Sequence, residues 1–164
     1  RCRLVGSEMC IRDRAINVWL SVSRVGSAAQ YHVMKKVAGK LKLSLATYRE
    51  MAAFAQFASD LDEATQKVLS RGTRMVELLK QPVNQPIPFY KQVVLIYAGI
   101  NGYLDQLPVD DVLVFEKKVY EKLDTVNASL VEKLKATPKL TDEVEEEMKS
   151  IITSVADEMK ASGA

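Results

Sequence analysis

LATYREMAAFAQFASDLDEAT, Leu45 to Thr65, reads as the end of one helix, a turn, and the start of another. Apolar residues at Leu45, Tyr48, Ala52, Ala55 and Ala58 recur at helical spacing. Phe54 and Phe57 widen that face, so the spacing predicts a helix from Leu41 to Ala58. Ser59-Asp60-Leu61-Asp62-Glu63 breaks the run and offers a cap, and its acids suit the positive end of a following helix. That helix runs from about Leu61 to Leu79, with Ala64, Val68, Met75 and Leu79 on its stripe. Gly72 interrupts it, as a site of close packing or a kink.

The pattern stays helical on both sides. Ala28 to Ala38 is built of good helix formers, with Gly39 as its expected stop. The proline-rich QPVNQPIP, Gln81 to Pro88, is a loop, because proline removes a donor and disfavours helix in the residue before it. Val93, Tyr97, Ile100 and Leu104 mark a short helix that Pro108 ends. Asp110 and Asp111 open the next, whose stripe is Phe115, Val119, Leu123, Val126, Leu130 and Leu134, with Pro138 as its stop. Thr141 or Asp142 caps the last helix, which turns Val144, Met148, Ile151 or Ile152, Val155 and Met159 inward. No strand pattern appears after Val22 and no repeat at a solenoid period. About six amphipathic helices with short connections define an all-α bundle.

Composition narrows the function. A net charge of +2 gives no electrostatic case for nucleic acid. The cluster Lys35, Lys36, Lys40, Lys42 is soon followed by Glu50, Asp60, Asp62 and Glu63, and reads as a solvated face. No apolar run reaches the roughly 18–20 residues that span a bilayer, and the first residues lack the apolar core of a secretory signal. The two cysteines, Cys2 and Cys10, both lie near the start, and one histidine, His32, cannot make a His-rich metal site. The acidic run Asp142, Glu143, Glu145, Glu146, Glu147 is helix-start charge, and its spacing does not make oxygens converge on a cation. There is no G-x-x-x-x-G-K-[ST] phosphate loop. Ser21 and Ser23 lack a nearby His–Asp pair.

One segment remains. Ala15 to Gln30, AINVWLSVSRVGSAAQ, is too polar for a buried strand and too rich in Ser and Gly for a helix interior. It reads as a loop that presents one guanidinium, Arg24. Ala15, Ile16, Asn17, Ser21, Ser23 and Arg24, and the unbroken SVSRVGSAAQ, closely resemble the end of the nucleotide-binding domain in the alpha-subunit family of F-type ATP synthases. Leu45 to Thr65, RGTRMVELLKQ (Arg71 to Gln81) and QVVLIYAGINGYLDQL (Gln92 to Leu107) continue the resemblance. After about Pro108 it falls to length and helix pattern.

The family pattern has Pro where this chain has Arg14, and RCRLVGSEMCIRDR has no counterpart in it. GSEMCIRDR resembles translated sequencing-library adapter, so residues 1–14 are expected to be a non-native prefix. The alternative is a genuine divergent N-terminus. Residues 15–28 are then the end of a nucleotide-binding domain whose Rossmann-like body is missing, and residues 29–164 a C-terminal helical domain.

The resemblance implies function residue by residue. Arg24 would be an arginine finger acting in trans on the nucleotide held by a neighbouring beta subunit, where a planar guanidinium meets the equatorial oxygens of the transferred phosphoryl. Gln81 matches the first of two glutamines beside the adenine of the alpha subunit's own, non-catalytic nucleotide, while the second position holds Val83, which cannot hydrogen-bond a base. The alternative for Gln81 is a polar loop residue at a helix end. Asp60 and Asp62 would lie near the central stalk gamma subunit, or simply cap a helix. The whole subunit would bind ATP or ADP with Mg²⁺, and the segment alone would bind none. Its partners would be beta subunits, gamma and a peripheral stalk, with no nucleic acid. The complex would sit peripherally on an energy-transducing membrane (mitochondrial, bacterial or thylakoid). The rivals are a stand-alone helical interaction module without catalysis and a nucleic-acid binder built on Lys35 to Lys42.

Overall fold

A computed structural model describes residue 28 and residues 30–55, 61–81, 85–125, 128–136 and 140–162. Six α-helices carry these residues: α1 (His32–Ala55), α2 (Glu63–Leu78), α3 (Phe89–Ile100), α4 (Val112–Thr125), α5 (Ala128–Ala136) and α6 (Asp142–Ser162). The all-α expectation holds.

The middle helix is central because its sequence is apolar on every side. Val93, Val94, Leu95, Tyr97, Ala98 and Gly99 of α3 are all buried, and a helix with no polar face needs neighbours all round. α1 and α2 pack on one part of its surface, while α4, α5 and α6 pack on another. The core runs through both groups: Val33, Val37 and Leu78 join Leu104, Phe115, Leu123, Leu130, Leu134, Met148 and Ile152 in one buried cluster.

The α6 stripe is as read: Val144, Met148, Ile151, Ile152, Val155 and Met159 are all buried. Thr141 accepts from the Val144 amide through Oγ1 at 3.4 Å, the bond of an N-cap to the third helical residue. α4 and α5 bury Phe115, Val119, Leu123, Leu130 and Leu134, but they are two helices rather than one. At the end of α4 the Thr125 hydroxyl donates to the Glu121 carbonyl at 2.6 Å. Val126 lies outside the described residues.

Three expectations on the first helices are corrected. α1 begins at His32 rather than Ala28 and passes through Gly39 without stopping. A mid-helix glycine costs only about 1 kcal/mol against alanine, and packing at Val33, Val37 and Leu45 spans the position. Phe54 is 67% exposed. It is six residues past Tyr48, so it sits roughly a third of a turn from the face that Tyr48 presents. Phe57 and Ala58 fall outside the described residues. The buried side of α2 is Gly72, Met75 and Leu78, while Ala64 and Val68 are exposed. The stripe is turned toward α3: a Cβ on Gly99 would stand 3.2 Å from Leu78 Cδ2 and 3.6 Å from Met75 Cγ.

α3 ends at Ile100, well before Pro108. Gly102, at φ 80°, makes the stop. Its amide reaches the Gly99 carbonyl at 3.4 Å, and the Tyr103 amide reaches Ala98 at 3.2 Å. These two bonds form a Schellman motif, which takes up carbonyls the helix end leaves open and needs a left-handed residue. Leu104 is buried as expected, but from the turn rather than the helix. Two arginines of α2 hold that turn. Arg71 grips the Asp105 carboxylate through Nε and Nη2, and Arg74 Nε donates to the Leu107 carbonyl at 2.6 Å.

α3 and α6 meet through a polar bond at the edge of the core. The Tyr97 hydroxyl donates to Glu145 Oε1 at 2.8 Å, and Lys149 pairs with the same oxygen at 3.0 Å. Burial, and then the Glu145 bond, push the Tyr97 phenol well up. Glu145 is held below its ordinary range, first by the Tyr97 bond and then by Lys149. The lowered acid stabilises the fold above its unfolded pKa, and that contribution disappears as pH falls through the lowered value. The raised phenol stabilises below its unfolded pKa and is lost as pH climbs through the raised value. Tyr97→Phe should therefore cost about 1 kcal/mol near neutrality. The gap to the parent should narrow in acid, as pH falls through the lowered pKa of Glu145, where the carboxylate protonates and the charge-assisted bond weakens. Urea unfolding at the two pH values measures it, and an unchanged gap would contradict this account.

Candidate functional site

α2 links two of the expected sites. Asp62 stands at its N-cap with an extended backbone. No full cap hydrogen bond forms from its side chain, yet its carboxyl is held below the ordinary value, chiefly by the Thr65 side chain and also by amides of the first turn. Asp62 is exposed and ionised, and suits both a helix cap and a contact with a basic partner. Asp60 and Arg24 lie outside the described residues.

The other end of α2 opens into the proline-rich loop. Leu79 closes the helix, its backbone N–H donating to the Met75 carbonyl at 3.2 Å, and the Lys80 N–H donates to the Glu77 carbonyl at 3.0 Å. The Lys80 ammonium also pairs with the Glu77 carboxylate at 2.6 Å. Gln81 comes next, half-buried, and donates from Nε2 to the Gln85 carbonyl at 2.6 Å. Beneath it is a recess of about 80 Å³ walled by Leu78, Ile87, Leu95 and Ile96, with Gln81, Gln92 and Tyr120 as its polar edges. Flat apolar walls with a few polar groups suit the edge of an aromatic base. Whole ligands fill pockets of roughly 300–1,000 Å³, so a recess of about 80 Å³ does not by itself hold one.

A shallower groove of about 450 Å³ adjoins the recess through Ile87 and Tyr120 and continues over Gln85, Pro86, Lys91 and Lys117. Tyr120 donates to the buried Glu116 at 3.0 Å. The Lys91 ammonium lies 4.9 Å from the Tyr120 ring centroid and pairs with Asp124 at 2.6 Å. Among the described residues no group of three or more His, Cys, Asp or Glu could hold a metal ion. His32 and the lysines at 35, 36, 40 and 42 are exposed on α1.

Sequence reasoning singled out Gln81 and missed Gln92, Ile87 and Tyr120, which complete the recess. A sequence signal for Gln92 existed: it is a polar residue in the first turn of a helix that is otherwise almost wholly apolar.

Residues 30–155 match "ATP synthase alpha/beta chain, C terminal domain", and the chain belongs to that family. Its resemblance is to the alpha type. The chain is similar to ATP synthase subunit alpha of Aquifex aeolicus (strain VF5), at 54% identity over 138 residues. That match covers 84% of this chain and 27% of the relative's length. No described helix is long and apolar enough to cross a membrane.

Proposed function

We propose that the chain is the C-terminal part of the alpha subunit of a proton-translocating F-type ATP synthase. In this reading Arg24 is the arginine finger that completes the catalytic site of an adjacent beta subunit. Gln81 lies against the adenine of the alpha subunit's own nucleotide, which is bound as ATP or ADP with Mg²⁺ by the whole subunit. Asp60 and Asp62 face the gamma subunit of the central stalk. The assembled ring alternates alpha with beta, joins a peripheral stalk, and sits on an energy-transducing membrane without crossing it. The observation that carries the reading is 54% identity to an alpha subunit over most of the chain. The placement of Gln81 at the mouth of an apolar recess supports it.

A graft tests the reading directly. Residues 30–155 of this chain would replace the matching span in the Aquifex aeolicus alpha subunit. The chimaera is expected to enter an alpha–beta complex that hydrolyses ATP within about tenfold of the parent, a loss of at most ~1.4 kcal/mol in barrier terms. A chimaera that folds but does not join beta subunits would sink the proposal.

A further inference from the structure

Two glutamine amides grip one short strap. Gln81 Nε2 donates to the Gln85 carbonyl at 2.6 Å. Gln92 Nε2, from the first turn of α3, donates to the Ile87 carbonyl at 2.6 Å. Both side chains line the same recess. A carbonyl oxygen only accepts, so the atom facing it in each side chain must be nitrogen; the flipped amide would bring two lone-pair oxygens together. The Gln81 amide is thus held with its NH₂ turned to the strap, which leaves Oε1 as the other branch of the fork. An oxygen fixed there recognises a donor.

The strap transmits position because it is stiff. Gln85 and Ile87 each precede a proline, Pro86 and Pro88. Proline fixes its own φ and confines the residue before it to extended backbone. The Gln85 and Ile87 carbonyls therefore keep a set relation. A hold on Ile87 sets the oxygen that orients Gln81.

We infer that Gln92 is a positioning residue for base recognition. Through the Ile87 carbonyl it holds the Gln85–Pro88 strap so that Gln81 Oε1 accepts from the 6-amino group of adenine and opposes the 6-keto oxygen of hypoxanthine. The inference rests on the adenine reading of Gln81.

The test uses the assembled complex. Binding of radiolabelled ATP at the alpha subunit's own site is followed, and unlabelled ATP and ITP compete for it. Gln92→Glu keeps the size of the side chain but cannot donate to Ile87. It should weaken ATP competition about five- to tenfold, the worth of roughly one hydrogen bond, and should shrink the preference for ATP over ITP by a similar factor. Gln92→Lys, which retains a donor, should restore most of that preference. Equal weakening of ATP and ITP in Gln92→Glu would mean a merely structural role and overturn the inference. An unchanged ratio in Gln92→Glu, alongside a lowered ratio in Gln81→Ala, would overturn it and leave the adenine reading standing. If Gln81→Ala changes nothing, the adenine reading falls and the inference with it. Should Gln92→Glu not assemble, Gln92→Leu removes the same donor and is read by the same ratio.

Discussion

In an assembled complex, Arg24→Lys should slow ATP hydrolysis by about a hundred- to a thousandfold while the complex still forms. Arginine fingers contribute roughly 10³–10⁵ in rate, because charge in the phosphoryl-transfer transition state spreads over equatorial oxygens that a planar fork can meet two at a time. Lysine keeps the charge and loses the fork. It retains part of the electrostatic stabilisation, so its loss falls below that of deletion, and Arg24→Ala should be slower still. The loss should appear in kcat, since the contact strengthens as the transition state forms. Assembly should survive because the six packed helices all begin at or after His32. Steady-state hydrolysis beside a native gel of the complex separates the two effects. Near-normal turnover in the lysine variant would remove the finger assignment. Failure to assemble would instead give Arg24 a structural role.

How much the sequence disclosed depended on how sharply the faces of each helix contrast. α6 reads cleanly because its faces contrast: its apolar stripe is buried against α3, α4 and α5, while Asp142, Glu143 and Glu146 are exposed. α1 and α2 are harder. α1 contacts both α2 and α3, and its alanines give little contrast between faces. Spacing alone could not tell that Phe54 turns outward while Tyr48 turns inward. The end of α3 was placed too late because Pro108 is a more conspicuous signal than Gly102, although Gly102 is the residue with positive φ.

The candidate site was legible only in part, for a related reason. Gln81 is conspicuous beside a proline-rich loop, but its partner is a backbone carbonyl four residues on, and no side-chain pattern encodes that. Gln92 looks like a stray polar residue until the fold brings it beneath the same strap. The reading of Arg24 rests on resemblance alone. Its neighbours in sequence fit a family pattern, whereas its own chemistry would suit any surface pair.

Gly72→Leu should destabilise the domain by about 3 kcal/mol or more, because overpacking a close helix contact forces both backbones to shift. A Cβ at Gly72 would stand 2.6 Å from Tyr48 Cβ and nearer still to the ring. A rotating ring could move aside, but the Cβ of Tyr48 is fixed to the backbone of α1, so the two helices themselves must separate. Even Gly72→Ala faces this cost, and the roughly 1 kcal/mol gained in helix propensity is too small to reverse it. Gly39 supplies the control. It is also mid-helix, but a Cβ there meets nothing within 4 Å, so Gly39→Ala should stabilise by about 0.5–1 kcal/mol. The same substitution is therefore expected to act with opposite signs at two helical glycines in one domain. Urea unfolding of both alanine variants decides it. Equal stabilisation at the two positions would mean that α1 and α2 do not approach at Tyr48 and Gly72. Tyr48→Gly, which removes the Cβ as well as the ring, should recover much of the loss in Gly72→Ala, and a double-mutant cycle without coupling would contradict the close contact.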